Sequence, residues 1–103
     1  MAGDGFVVVL VIDLHFPAAG SLKAKRKELS SIKAQLQTRM HVAVAETGHH
    51  DLWQRATLTA AITGGSTRQV DTLADEVERW LLARCADGAR IERLTASVED
   101  LRG

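Results

Sequence analysis

The hydrophobic period of this chain changes between two and 3.6 residues in one particular order, and few folds accept that order. In residues 6 to 16, Val8, Leu10, Ile12, Leu14 and Phe16 share one side. Val7, Val9 and Val11 share the other, which turns polar at Asp13 and His15. Branched apolar residues on both sides predict a strand with two covered faces near its start. Pro17 to Gly20 break the alternation, and Ser21 is placed to cap a helix from Leu22 to about Arg39 with Leu22, Leu29, Ile32 and Leu36 as its buried stripe. A short strand from His41 to Glu46, a loop from Thr47 to Gln54 and an alternating segment from Arg55 to Thr63 then read as a hairpin. Gly64 and Gly65 end it, and Ser66 with Gln69 forms a capping-box pattern. The second helix buries Val70, Leu73, Val77, Trp80, Leu81 and Cys85 and stops at Asp87-Gly88. Residues 89 to 98 predict a weaker strand, with a bulge where Ile91 and Leu94 sit three apart.

The predicted order, β-α-β-β-α-β, is that of a ferredoxin-like split βαβ sandwich of the α+β class. Right-handed crossovers place the first and third strands at the centre of a four-stranded antiparallel sheet, with both helices on one face. Residues 1–103 are expected to form one ferredoxin-like domain, with 1–5 as a flexible N-terminus. A functional consequence follows from topology. The β1/α1 turn, the β2/β3 loop and the α2/β4 turn should emerge at one end of the sheet, gathering His15, Phe16, Pro17, the first turns of helix 1, His49, His50, Asp51 and Trp53.

Composition narrows the class. Charged residues make up 25%, hydrophobic residues 46%, and thirteen basic side chains balance thirteen acidic ones. Those values fit a globular chain and exclude a disordered tail or a general nucleic-acid coat. Cys85 stands alone, so no intramolecular disulfide forms and a reducing compartment is expected. The run Phe6 to Ile12 is too short to cross a bilayer and follows Asp4 rather than a basic segment, so a cytoplasmic location is expected.

Two segments carry a likeness. His15-Phe16-Pro17 followed by Ser21-Leu22-Lys23-Ala24-Lys25-Arg26, and Ala45-Glu46-Thr47-Gly48-His49-His50-Asp51-Leu52-Trp53-Gln54-Arg55-Ala56, resemble the two signatures of the YlxP-like family of small bacterial proteins of unknown function. The resemblance implies a ferredoxin-like fold. Genes of that family commonly lie among translation and ribosome-maturation genes, which implies an RNA or ribosomal partner. It supplies no catalytic residue.

Lys23, Lys25, Arg26 and Lys27 occupy the first two turns of helix 1, where the helix dipole favours acids. A helix start ringed by cations is a phosphate-binding pattern, and these four are the expected anion or RNA contacts. The zero net charge conceals a polarity: residues 1–45 carry six Lys or Arg and three Asp or Glu, and residues 46–103 carry seven and ten.

His15, His49 and Asp51 are expected as accessory contacts at the same end. No pair has helical metal-ligand spacing, so neither a metal nor another cofactor is expected. His49 or Asp51 is instead expected to bond loop backbone and hold Trp53 on the core. Asp13, His15, Glu46 and Asp51 could supply acid and base groups, yet no nucleophile elbow or phosphate loop accompanies them. Cys85, Trp53 and Trp80 read as packing residues.

The open face of the sheet should carry Val7, Val9, Val11, Ala43, Ala45, Thr57, Thr59 and Ala61, free of charge and aromatic rings. Without aromatics on the central strands, base stacking on the sheet is disfavoured. Burial against a second copy, through Val7, Val9, Val11, Thr57 and Thr59, is the expected use. The sequence thus points to a non-enzymatic, self-associating domain that meets RNA or a ribosomal particle through helix 1. The alternatives are a small enzyme or a ligand- or metal-binding protein using His15, His49 and Asp51, or a protein-binding adaptor.

Overall fold

The structure, a computed structural model, describes residues 4–103. Strand β1 (Phe6–His15) leads to helix α1 (Leu22–Thr38), strands β2 (Ala43–Gly48) and β3 (Arg55–Gly64), helix α2 (Thr67–Arg84), strand β4 (Ala89–Ser97) and the short helix α3 (Val98–Arg102). The strands form one sheet in the order β2-β3-β1-β4, with every neighbouring pair antiparallel. Two βαβ units are thus interleaved, giving the ferredoxin-like split arrangement. Of the expected flexible N-terminus, residues 1–3 lie outside the described residues. Gly5 is tied down, its carbonyl accepting from Val98 N at 2.8 Å.

Both helices cover one sheet face. Val8, Leu10, Ile12 and Leu14 of β1 and Ala56, Leu58, Ala60 and Ile62 of β3 are buried against Leu29, Ile32 and Leu36 of α1 and Val70, Ala74, Val77 and Leu81 of α2. Each fully buried Leu or Ile stabilises the fold by roughly 1.5–3 kcal/mol relative to exposure. Ser21 caps α1 through its Oγ, which accepts from Ala24 N at 3.1 Å. Ser66 does the same for α2 with Gln69 N, while Gln69 Oε1 accepts from Gly65 N rather than from the cap residue.

Several local expectations change. β2 runs two residues later than its sequence limits, because His41 takes a left-handed φ of 55° and Val42 N bonds back to Leu36 O. The bulge is not in β4, which pairs with β1 in unbroken register from Phe6↔Ser97 to Leu14↔Ala89. It lies in β2, between Glu46 and Gly48. The alternation in β4 fails for another reason. Arg93 points to the helix side, where Glu78, Asp75 and Asp71 of α2 receive its guanidinium, and Leu94 is left on the open face, half exposed. The open face also carries charge at its margins, with Asp13, Arg90 and Glu92 in register on β1 and β4. Helix α3 was not expected, although Ser97 and Asp100 form a full capping box at 3.0 and 2.9 Å. No helix is long and apolar enough to cross a membrane among the described residues.

Candidate functional site

The three connections predicted to share one end do so, and hydrogen bonds stitch them together. His15 N donates to Gly88 O at 3.1 Å, joining the β1/α1 turn to the α2/β4 turn. Phe16 N donates to Gln54 O at 2.8 Å and Gln54 Nε2 to Pro17 O at 3.2 Å, joining the same turn to the β2/β3 loop. Gly88 holds φ at 134°, a conformation open to glycine and costly for other residues.

Lys25 is the centre of this end, and it faces inward. It is 1% exposed, the sole buried charged residue among those described. Its Nζ donates to the carbonyls of His49 at 2.8 Å, His50 at 3.2 Å and Arg55 at 3.2 Å. An ammonium has three N–H groups, so its donor capacity is filled. Glu46 Oε2 lies 3.7 Å from Nζ and has no hydrogen-bond partner, which makes it a charge neighbour rather than an acceptor. Lys25 therefore leaves the expected set of anion contacts. Its role is to fix the β2/β3 loop from beneath by donating to part-buried carbonyls, of which His49 O has a second donor in Leu52 N. The signal was present in the sequence, since position 25 continues the Leu29, Ile32, Leu36 stripe by one turn.

Lys23, Arg26 and Lys27 remain exposed. By the helical period Lys23 and Lys27 lie on the side of α1 opposite Lys25, with Arg26 about 100° round from it. None of the three makes an ion pair among the described residues, and the first turn of α1 holds no acid. Glu28, the helix's one carboxylate, is taken by Arg84 of α2 at 2.9 Å.

The histidines are not drawn together. His15 is exposed at the end of β1, opposite Arg55 on β3. His49 and His50 are exposed, and His49 adopts a left-handed φ of 58° that lets its carbonyl accept from Leu52 N as well as from Lys25. Among the described residues no three His, Cys, Asp or Glu side chains stand close enough to hold a metal ion. Trp53 reverses expectation. Neither His49 nor Asp51 folds it onto the core; it is 52% exposed beside Leu52, which is 47% exposed.

A cleft of about 540 Å³ opens between the start of α1 and the end of α2. Phe16, Ala24 and Cys85 form part of its floor, with Lys27, Glu28 and Arg84 around it. Cys85 ends α2 and is buried; burial pushes its thiol pKa up, which Arg84 partly offsets and Glu28 reinforces. A thiol held in that state is a packing group rather than a nucleophile.

A family model described as a protein of unknown function, DUF503, matches residues 7–95, which run from β1 into β4 and include Lys25 and the whole β2/β3 loop. The chain belongs to this family. No curated protein matches it. Among solved structures it is similar to the de novo designed protein Foldit4, with 13% identity, a TM-score of 0.56, and coverage of 89% of this chain and 96% of the design. At that identity the likeness shows the fold alone: this alternation of strands and helices suffices for the architecture without any natural binding site.

Proposed function

We propose that this member of the family is a non-enzymatic domain that contacts RNA, as free RNA or within a ribosomal particle, through the exposed face of α1. The observation that carries the reading is the group Lys23, Arg26 and Lys27, three cations on one face of a capped helix start with no ion-pair partner among the described residues. Cations placed there oppose the helix dipole, at roughly 0.3–1 kcal/mol each, and a polyanion relieves that cost. The likeness of two segments to the YlxP-like signatures, with their translation-gene context, supports the same partner. Arg55, opposite His15 across β3 and β1, adds positive charge to the same end. The burial of Cys85 favours this reading over a thiol-dependent enzyme.

The test is RNA binding followed by fluorescence anisotropy across a salt series. Three phosphate contacts on a single strand give a log–log salt slope of about −2. The triple variant Lys23→Ala, Arg26→Ala, Lys27→Ala should flatten that slope and abolish binding at moderate salt. Wild-type protein that fails to bind RNA even at low salt would end the proposal.

The open face supports self-association as part of the same reading. Val7, Val9 and Val11 lie beside a half-exposed Leu94, and the threonine hydroxyls are already satisfied within the sheet. Thr57 donates to Asp13 at 2.7 Å and Thr59 pairs with Thr47 at 2.9 Å. A second copy can therefore cover this face without stranding those groups. A homodimer is expected in sedimentation at micromolar concentration, and a species of 11.2 kDa alone would refute it.

A further inference from the structure

The β2/β3 loop is immobilised with unusual thoroughness for a segment that ends in water. Lys25 holds the carbonyls of His49 and His50 and that of Arg55 at the start of β3, Gln54 binds Phe16 and Pro17 of the β1/α1 turn through backbone and side chain, and the Leu52 amide closes back on His49. The product of all this bonding is an exposed indole. Leu52, Trp53, Gln54 and Arg55 line a shallow groove of about 370 Å³ at the loop's edge. Arg55 makes no side-chain hydrogen bond or ion pair among the described residues, so its guanidinium is free beside that groove.

From the rigid loop, the exposed Trp53 and the free Arg55, we infer that Trp53 is a stacking platform for one unpaired base of single-stranded RNA, with Arg55 meeting an adjoining phosphate. The inference rests on the RNA-contact reading above and extends it from phosphate attraction to recognition of unpaired bases.

Size and charge select this occupant. A stable protein interface buries about 800 Å² on each partner, and two apolar side chains flanked by Asp51, Gln54 and Arg55 fall well short of that core. Insertion into a membrane surface requires a longer apolar face than Leu52 and Trp53 provide. A stacked base needs one π face and nearby positive charge, and tolerates a polar surround. Rigidity matters for the same reason: an indole fixed in advance loses little conformational freedom when a base docks. The open sheet face, which receives no aromatic side chain from the central strands, is not involved; the platform stands on the loop. Asp51 opposes phosphate at this edge and limits affinity.

The experiment uses the full chain carrying Trp80→Phe, so that Trp53 is the sole emitting indole. Single-stranded RNA of mixed sequence, double-stranded RNA and inorganic polyphosphate are titrated against it. Single-stranded RNA should quench Trp53 emission, whereas polyphosphate should bind without quenching. Trp53→Ala should weaken single-strand affinity about 5- to 100-fold and leave polyphosphate affinity unchanged, with Trp53→Phe close to wild type. Asp51→Asn should tighten single-strand binding severalfold. Unchanged single-strand affinity in Trp53→Ala, with binding still lost in the Lys23, Arg26, Lys27 triple variant, would overturn the platform and leave the phosphate reading standing. Equal weakening toward polyphosphate would also overturn it, as would a Trp53 blue shift on phosphatidylglycerol-containing vesicles without any response to RNA. Absence of RNA binding by the wild type would remove both.

Discussion

Helices α1 and α2 bury stripes of identical spacing. Lys25, Leu29, Ile32 and Leu36 in one correspond to Val70, Ala74, Val77 and Leu81 in the other, and each stripe begins four residues after a serine cap. The first position differs in kind. Val70 sits where α2 meets the tight Gly64-Gly65 connection, so close to bare backbone that a Cβ on Gly64 would lie 3.0 Å from Val70 Cγ1. Lys25 sits where α1 meets the β2/β3 loop, and the carbonyls of His49, His50 and Arg55 face its ammonium. The same helical position takes valine where its neighbour is the glycine connection and lysine where its neighbours are three carbonyl oxygens. What a buried position requires is set by the connection it faces rather than by the helix that carries it.

The sharpest way to break that comparison is to empty both positions. Lys25→Ala removes the Lys25 donor from the His50 and Arg55 carbonyls, leaves His49 O with Leu52 N alone and strands the Glu46 carboxylate, and should cost about 3–5 kcal/mol in denaturant unfolding. Val70→Ala loses two methyl groups and should cost about 2 kcal/mol. Lys25→Met restores volume without donors and should recover little; full recovery would show that position 25 needs only bulk. Hydrogen exchange separates the two further, because loss of Lys25 should expose the amides of residues 48–54 before the rest of the sheet opens.

A smaller effect is expected where α2 uses charge outside the core. Arg93 joins β4 to Asp75 at 2.8 Å and to Glu78 through its Nε at 2.7 Å. These carboxylates hold its pKa above the ordinary arginine value, the Asp75 bond first among them. Because Asp71 and Asp75 are more than half exposed, solvent screens the network. Arg93→Ala should cost about 1 kcal/mol, and that cost should shrink in high salt. A loss as large as that of Lys25→Ala would make the surface network equal to the buried one.

The smallest effect is a pH dependence at the far end of α2. Burial raises the Cys85 pKa above its ordinary 9.0, so the folded chain retains the thiol proton after the unfolded chain has released it. That contribution is complete below the unfolded pKa and is lost as pH rises through the folded one. Stability should therefore decline above about pH 9 more steeply in the wild type than in Cys85→Ala. Identical slopes would place the thiol in solvent, and rapid labelling by a thiol reagent under native conditions would say the same.

The order of elements, both helix caps and nearly all of the core were legible because period and capping are local properties of the chain. The short helix α3 was legible too, in the Ser97-Val98-Glu99-Asp100 spacing, but its five residues lie in a segment whose strand pattern dominates. Lys25 reads from the sequence as surface and Trp53 as core, and the structure reverses both. Residue type argues for each of those placements, and only contacts with segments distant in sequence reverse them. Lys25 is held by residues 24 to 30 positions away, and Trp53 is kept outside by a loop fixed through those same bonds.

Sequence alone determined that this chain alternates strand and helix in a split βαβ order, and that its loops converge at one end beside a basic helix start. Those features follow from periodicities, caps and turn residues that act over a few positions. Tertiary structure decided which cation of that helix is available to a partner and which is consumed within the fold. It did so because the carbonyls of His49, His50 and Arg55 converge beneath the loop, and Lys25 is the side chain whose three N–H groups reach them all.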